Sequence, residues 1–311
     1  MFSLVLCLCL VLFSSYADAI TRPHAAIAAS TPQEHFLADL LDELWFTYKD
    51  RLSYASKCEA LLNNLTNDHL AFRTFGGIHR ISRIFEALGY EARGCYNFPG
   101  KHLTAIHYEH KTNKQMPKLF ISELKIFELE EEARKIIEEA LQSHRPDLTN
   151  ALLAQLRENP TPDLIPVLLK HFETLPWKLP TKQQVEILNK HSQYAAWVLV
   201  HGYRVNHFTA LVSPPETLDS VLEMLQSAGL PMKETIEGEI GSKLRQTSTK
   251  AGVTTVNVMG DDGLPTTMPW TYAYMEFAER NAIDGKRFEG FLGPQATELF
   301  DMTKTSDVDE L

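Results

Sequence analysis

The stretch Asp68-His69-Leu70-Ala71-Phe72-Arg73-Thr74-Phe75, closed by Gly76-Gly77, decides how this chain is read. It is rich in strand formers, and the glycine pair ends it. Side chains alternate along a strand, so His69, Ala71, Arg73 and Phe75 share one face while Leu70, Phe72 and Thr74 share the other. One face carries a metal-ligand type and a cation; the opposite face is apolar. Downstream, Ile78, Ile81, Ile84, Phe85 and Leu88 recur at helical spacing up to Gly89. Three more strand candidates follow at 91–97, 102–110 and 118–126. The predicted module is β-α-β-β-β.

The order then repeats. Val205-Asn206-His207-Phe208-Thr209-Ala210-Leu211-Val212 reads as a strand and Pro214-Pro215 breaks it. Leu218, Val221, Leu222 and Leu225 mark a helix up to Gly229, and strand candidates lie at 239–247, 253–259 and 271–280. His69 precedes Gly89 by 20 residues and His207 precedes Gly229 by 22. Each histidine is third in its strand if Asn67 and Val205 begin those strands. A period of 138 residues is far too long for a solenoid and predicts two paired modules closing around one cleft. The expected fold class is therefore α+β, with two β-α-β-β-β modules forming a curved sheet or barrel. Helices surround it and are inserted in it.

Phe36, Leu37, Leu40, Leu41, Leu44, Trp45 and Tyr48 predict an amphipathic packing helix within 31–62. The stretch 128–203 reads as largely helical, and its acidic start, 128–139, as a solvated helix face. The expected division is a catalytic domain over 36–300, with module one at 67–126, the helical insertion at 127–203 and module two at 205–280. A linker or transit-like segment at 20–35 precedes it, and an acidic tail at 301–311 follows.

Polar groups on several inward strand faces need partners, because a buried imidazole or carboxylate left alone is costly. Tyr272, Tyr274, Glu276 and Arg280 share a face in the last strand, and the two tyrosines are candidate pocket residues. Two neutral imidazoles plus one carboxylate make the facial set of non-haem Fe(II), leaving positions for a chelating substrate and oxygen. His69, His207 and Glu276 supply it. Arg73, four residues beyond His69, is placed to hold a substrate carboxylate by a fork of two hydrogen bonds, which suits an elongated dicarboxylate. Glu123, in the closing strand of module one, is the candidate fourth ligand or supporting base. The competing reading makes the histidines satisfied core residues and Glu276 an edge-strand carboxylate. HExxH, paired CxxC, strand-borne GxGxxG and phosphate-loop GK[ST] signatures do not occur.

Composition narrows the rest. The 311 residues are 44% hydrophobic and 23% charged, with 30 Lys+Arg against 40 Asp+Glu and a net charge of −10. This describes a globular chain without a basic field for nucleic acid. Leu4 to Phe13 is about half of the roughly 20 apolar residues a bilayer-spanning helix needs. Followed by Ala17-Asp18-Ala19, it reads as a cleaved secretory signal over 1–19, leaving no stable membrane span. Cleavage there would remove Cys7 and Cys9 and leave Cys58 and Cys95, which form one bridge at most. The C-terminal Val308-Asp309-Glu310-Leu311 is a loose ER-retention variant, while the Ala-rich, acid-free 20–30 segment is transit-like. The two expected destinations are the ER lumen and a plastid-type organelle. The sequon Asn64-Leu65-Thr66 would report ER passage.

Taken together, Asp68 to Phe75, Val205 to Thr209 and Tyr274-Met275-Glu276-Phe277 resemble the motifs of the 2-oxoadipate dioxygenase/decarboxylase family. The likeness covers most of Leu37 to Gly293, with His-x-x-x-Arg its most specific part. It implies a vicinal-oxygen-chelate-like core and Fe(II) held by His69, His207 and Glu276. Arg73 would clamp the substrate carboxylate. The implied reaction converts 2-oxoadipate and O2 to 2-hydroxyglutarate and CO2, a step of lysine breakdown. Longer bacterial members continue beyond the glutamate motif; this sequence runs 35 residues past Glu276. Two other classes fit parts of the pattern: another vicinal-oxygen-chelate enzyme (lyase, isomerase or extradiol dioxygenase), and a non-catalytic binding protein keeping the fold.

Overall fold

The computed structural model describes residues 22–62, 65–293 and 300–303. The expected signal, Asn64 of the sequon and the tail from 304 onward lie outside the described residues. No helix among the described residues is long and apolar enough to cross a membrane.

The first helix, α1 (Pro32–Arg51), starts where Thr31 caps the chain by accepting from the Glu34 amide, and Pro32 sits in the first turn, where a missing N–H costs nothing. Its expected apolar stripe is buried. The predicted helix does not run unbroken to residue 62, because the backbone leaves helical geometry at Leu52 and restarts as α2 (Ala55–Leu61). Between them, the Tyr54 hydroxyl donates to the Lys250 carbonyl, tying the break to module two.

Module one is β1 (Asn67–Thr74), α3 (His79–Ala87), β2 (Tyr90–Phe98), β3 (Leu103–His110) and β4 (Lys118–Leu124). His102 adopts left-handed backbone geometry, φ 55°, so β3 starts one residue later than the sequence suggests. The insertion forms α4 (Glu131–Gln142), α5 (Asn150–Glu158), α6 (Leu164–Glu173), α7 (Lys182–His191) and α8 (Gln193–His201). Module two contributes β5 (Val205–Val212), α9 (Leu218–Ser227), β6 (Leu244–Ser248), β7 (Val253–Met259), β8 (Pro265–Thr271) and β9 (Tyr274–Arg280).

Seven strands form one curled sheet in the order β2-β3-β4-β1-β5-β9-β6. The modules meet where β1 lies antiparallel to β5, and each of these pairs in parallel with the closing strand of its own module, β4 or β9. The repeat is imperfect. The expected strand 253–259 is present as β7, but it leaves the sheet and pairs with β8 in a separate two-stranded ribbon. The sequence hides β8 because Pro265 and Pro269 argue against a central strand; a two-stranded ribbon tolerates them. Likewise the expected strand 239–247 begins only at Leu244, after Gly238 and Gly241 at positive φ.

The outer face of the central strands is covered by helices. Phe208 of β5 receives Trp45 and Tyr48 of α1 edge-on, at centroid distances of 5.1 and 5.0 Å. With this side filled by aromatic rings, the polar residues of β1, β5 and β9 are left on the inner face. Cys58 is buried and Cys95 exposed, both as free thiols.

Candidate metal centre

Strand register builds the site. His69 of β1 is level with Thr209 of β5, which is level with Glu276 of β9. In the next row on the same face, two residues along, Ala71, His207 and Tyr274 are level. His69 and Glu276 thus sit two strands apart in one row, and His207 sits between them, one row on. The result is a triangle. His69 Nε2 lies 3.5 Å from Glu276 Oε1, and His207 Nε2 lies 3.4 Å from Glu276 Oε2. One ligand atom from each residue falls within 4.8 Å of the others, and all three residues are buried.

Two bulges aim the histidines. Asp68 is the extra residue on β1 where Asn67 pairs with Ala210 and His69 with Thr209; Asn206 is the extra residue on β5 where Ala71 pairs with His207 and Phe72 with Val205. A bulge re-aims a side chain that strict alternation would send to the far face. Here it lets each extra residue reach the ring of its own neighbour. His69 Nδ1–H donates to Asp68 Oδ2 at 2.8 Å, and His207 Nδ1–H donates to Asn206 Oδ1 at 3.0 Å. Both rings then present Nε2 lone pairs inward.

The electrostatics match a cation. Burial pushes both histidines below their usual pKa, keeping them neutral; for His69 this outweighs the opposing pull of Asp68, while His69 and Arg73 add to it for His207. Burial, reinforced by Asp68, pushes the Glu276 carboxyl up to about 8 against Arg280 and Lys233. Neither Glu276 oxygen has a hydrogen-bond partner. A buried carboxylate with both oxygens unmet is costly, and a metal bound by Glu276 and two neutral imidazoles would remove that cost.

Behind His69, burial acts to raise the Asp68 pKa, but the Arg280 guanidinium and the His69 hydrogen bond hold it well below the usual carboxylate range. Arg280 grips Asp68 with two bonds, Nε to Oδ1 at 2.6 Å and Nη2 to Oδ2 at 2.8 Å.

Arg73 lines the same cavity as His69, His207, Glu276 and Tyr274. Its guanidinium lies over Tyr194 and Trp197 of α8, 5.1 and 5.4 Å from the ring centroids. The helical insertion, to which the sequence assigns no chemistry, therefore builds the arginine end of the cavity. At the metal end Phe291 closes over His69, ring centroids 4.9 Å apart and nearly perpendicular.

Two sequence candidates stand elsewhere. Glu123 does not join the triangle: its carboxylate accepts from the Ile78 amide at the start of α3. Phe120, level with Ala71, is the residue of β4 that corresponds to Glu276 on β9, and Phe120 and Ser122 line the cavity. Glu123 is three positions past Phe120, and an odd offset turns a side chain to the opposite face. Tyr272 precedes β9 and faces away from the cavity, its ring 5.1 Å from His201 and 6.0 Å from Tyr48. Tyr274 lines the cavity and stacks on His207 at 4.7 Å. The supporting roles of Asp68, Asn206, Arg280 and Phe291 escape sequence reading. The one available signal is the polar residue directly before each histidine.

Comparison with known proteins places the chain in a family. The family described as 2-oxoadipate dioxygenase/decarboxylase matches residues 29–300. The chain is 26% identical to a chloroplastic/amyloplastic 2-oxoadipate dioxygenase/decarboxylase of Oryza sativa, over 94% of this chain and 85% of that protein. It is 26% identical to the chloroplastic protein of that name in Arabidopsis thaliana, over 87% and 78%. In fold it is similar to the Oryza sativa hydroxyglutarate synthase crystallised with 2-oxoadipate: TM-score 0.73, 23% identity, 91% of this chain and 96% of that one. A Ralstonia eutropha protein assigned to the glyoxalase superfamily superposes with TM-score 0.75 at 22% identity, over 89% and 95%. The expected vicinal-oxygen-chelate-like architecture is thus present, and the chain belongs to the 2-oxoadipate dioxygenase/decarboxylase family.

Proposed function

We propose that this protein is an Fe(II)-dependent oxygenase that oxidatively decarboxylates a 2-oxo dicarboxylic acid. The specific reaction is 2-oxoadipate + O2 → 2-hydroxyglutarate + CO2, within lysine breakdown. The observation that carries the reading is the unsatisfied Glu276 carboxylate facing two neutral imidazoles in a cavity that also holds Arg73. Fe(II) held by His69, His207 and Glu276 would supply the redox chemistry for the oxo acid and oxygen.

The protein's part is binding and orientation. The Asp68–Arg280 pair is internally neutral, and the cavity has a cationic group at each end, a divalent ion held by Glu276 and the two imidazoles and the guanidinium of Arg73, an arrangement that a dicarboxylate would span. Arg73 is four strand residues from His69, on the order of 13 Å along the backbone, so a carboxylate forked by Arg73 belongs to the far end of an elongated acid. Phe291, Phe120 and Tyr274 wall the space between, excluding bulk water from the reacting end. The names of the Oryza and Arabidopsis relatives support a plastid-type destination reached through the 1–30 region.

Anaerobic reconstitution with Fe(II), followed by oxygen uptake and CO2 release across 2-oxo acids of graded chain length, tests this reading. Stoichiometric iron and turnover peaking at the six-carbon dicarboxylate are expected. Absence of iron binding, or of oxygen uptake with every 2-oxo acid, overturns it.

A further inference from the structure

One guanidinium spans two parts of the site that the reaction scheme treats separately. Besides holding Asp68 with Nε and Nη2, Arg280 donates from Nη1 to the carbonyls of Gly290, at 2.7 Å, and Phe288, at 3.3 Å. Residues 288–292 form a strap across the metal end of the cavity, which Phe291 and Leu292 line. The Arg280 guanidinium also lies 5.2 Å from the Phe291 ring centroid, and Phe291 in turn packs edge-on against His69. Two further ties hold the strap from module one. The Phe291 amide donates to the Tyr96 hydroxyl at 3.3 Å, and Lys118 pairs with Glu289.

The two modules differ at this point. Asn206 supports His207 as a neutral amide and needs no counter-charge. Asp68 supports His69 as a buried carboxylate, which is tolerable only with a fixed cation beside it. A neutral amide would orient the ring equally well, so the carboxylate–guanidinium pair is more than ring orientation requires. What it adds is a rigid path. The Arg280 fork is planar, so the direction in which it faces Asp68 fixes the direction in which Nη1 faces the strap carbonyls.

We propose that Arg280 is a positioning residue that couples the 288–292 strap to the metal ligand His69 through Asp68, so that metal binding and strap order reinforce each other. The coupling rests on the reading of His69, His207 and Glu276 as metal ligands, and by linkage it acts in both directions. Metal held by His69 orders the strap, and an ordered strap holds Asp68 and His69 in the ligating geometry.

Mn(II) alone tests this without substrate or turnover, by combining titration calorimetry with hydrogen exchange of the strap amides in the full chain. In the wild type, Mn(II) is expected to slow exchange across 289–292. Arg280→Lys removes the fork while keeping the charge; it should weaken Mn(II) binding roughly 10- to 100-fold, the usual range for loss of outer support, and make strap exchange insensitive to Mn(II). Glu289→Gln removes the Lys118 tie to the strap while leaving every hydrogen bond of Arg280 to Asp68, Phe288 and Gly290 in place, and Mn(II) should still slow its exchange. Wild-type Mn(II) affinity in Arg280→Lys, with exchange faster throughout the sheet, marks a merely structural arginine and overturns the coupling. If Arg280→Lys does not fold, Asp68→Asn reads the link from its other side: faster strap exchange supports it, and unchanged exchange overturns it. A wild type that binds no Mn(II) overturns the metal reading and the coupling together.

Discussion

The Arg73 guanidinium donates to Thr303 Oγ1 at 2.7 Å, joining the inner face of β1 to the short 3-10 turn Phe300–Thr303. A second bond, Nη2 to the Phe300 carbonyl at 3.3 Å, holds the same turn. Both acceptors are neutral oxygens, and a guanidinium bonds a carboxylate more strongly than a neutral oxygen.

Arg73→Lys is therefore expected to weaken the dicarboxylate without releasing the metal. Loss of a charge-assisted fork is worth about 1.5–3 kcal/mol, equivalent to roughly 10- to 100-fold in substrate affinity. Calorimetry of the Mn(II)-loaded variant with 2-oxoadipate separates the two bindings; a variant that loses Mn(II) contradicts the assigned role.

Glu276 predicts a pH dependence of the metal-stripped protein. Its folded pKa of about 8 lies above its ordinary 4.5, so over this interval the folded state binds more protons than the unfolded state. Stability falls as pH rises through the interval. His69 and His207, together with His107, His110, His144, His171 and His201, are shifted below 6.5 and act oppositely through and just above that pH, so the glutamate is read from the difference between wild type and Glu276→Gln. In denaturant melts of chelator-treated protein, the stability of the wild type relative to Glu276→Gln should drop as pH rises from about 6.5 to about 8. Glu276→Gln should also abolish metal binding.

Metal loading should remove that drop, because the carboxylate is then ionised in both the folded and the unfolded state. Binding requires the ionised carboxylate, so each ion taken up near pH 7 releases a proton. Calorimetric titrations in buffers of different ionisation enthalpy read that release directly. A released-proton count near zero contradicts Glu276 as a ligand.

Glu123→Gln is expected to leave Mn(II) affinity within about twofold, because its side chain meets the start of α3 instead of the triangle. The expected cost is confined to stability, about 0.5–2 kcal/mol as for loss of a helix cap. A large fall in metal affinity would return Glu123 to the site.

Phe208→Ala tests the support behind the metal face. The ring is fully buried between Trp45 and Tyr48, and deleting it should cost about 3–5 kcal/mol. Thermal melts with and without Mn(II) should drop together, since the deletion leaves all three ligands in place.

The sequence by itself determined the repeated module, the third-position histidines and the alternation that puts His69 and Arg73 on one face. These are local properties: strand period, helix stops and turn residues are written in neighbouring positions. Strand partners are not. Which residue of β9 lies level with His69 across Thr209, why Glu123 falls on the wrong face and why 253–259 leaves the sheet all depend on register between distant segments. The bulges at Asp68 and Asn206 are further still from sequence reading, since they break the alternation used to read it. Only the tertiary structure, by filling the outer face with Phe208, Trp45 and Tyr48, fixed that register, and with it left the Glu276 carboxylate buried between two neutral imidazoles.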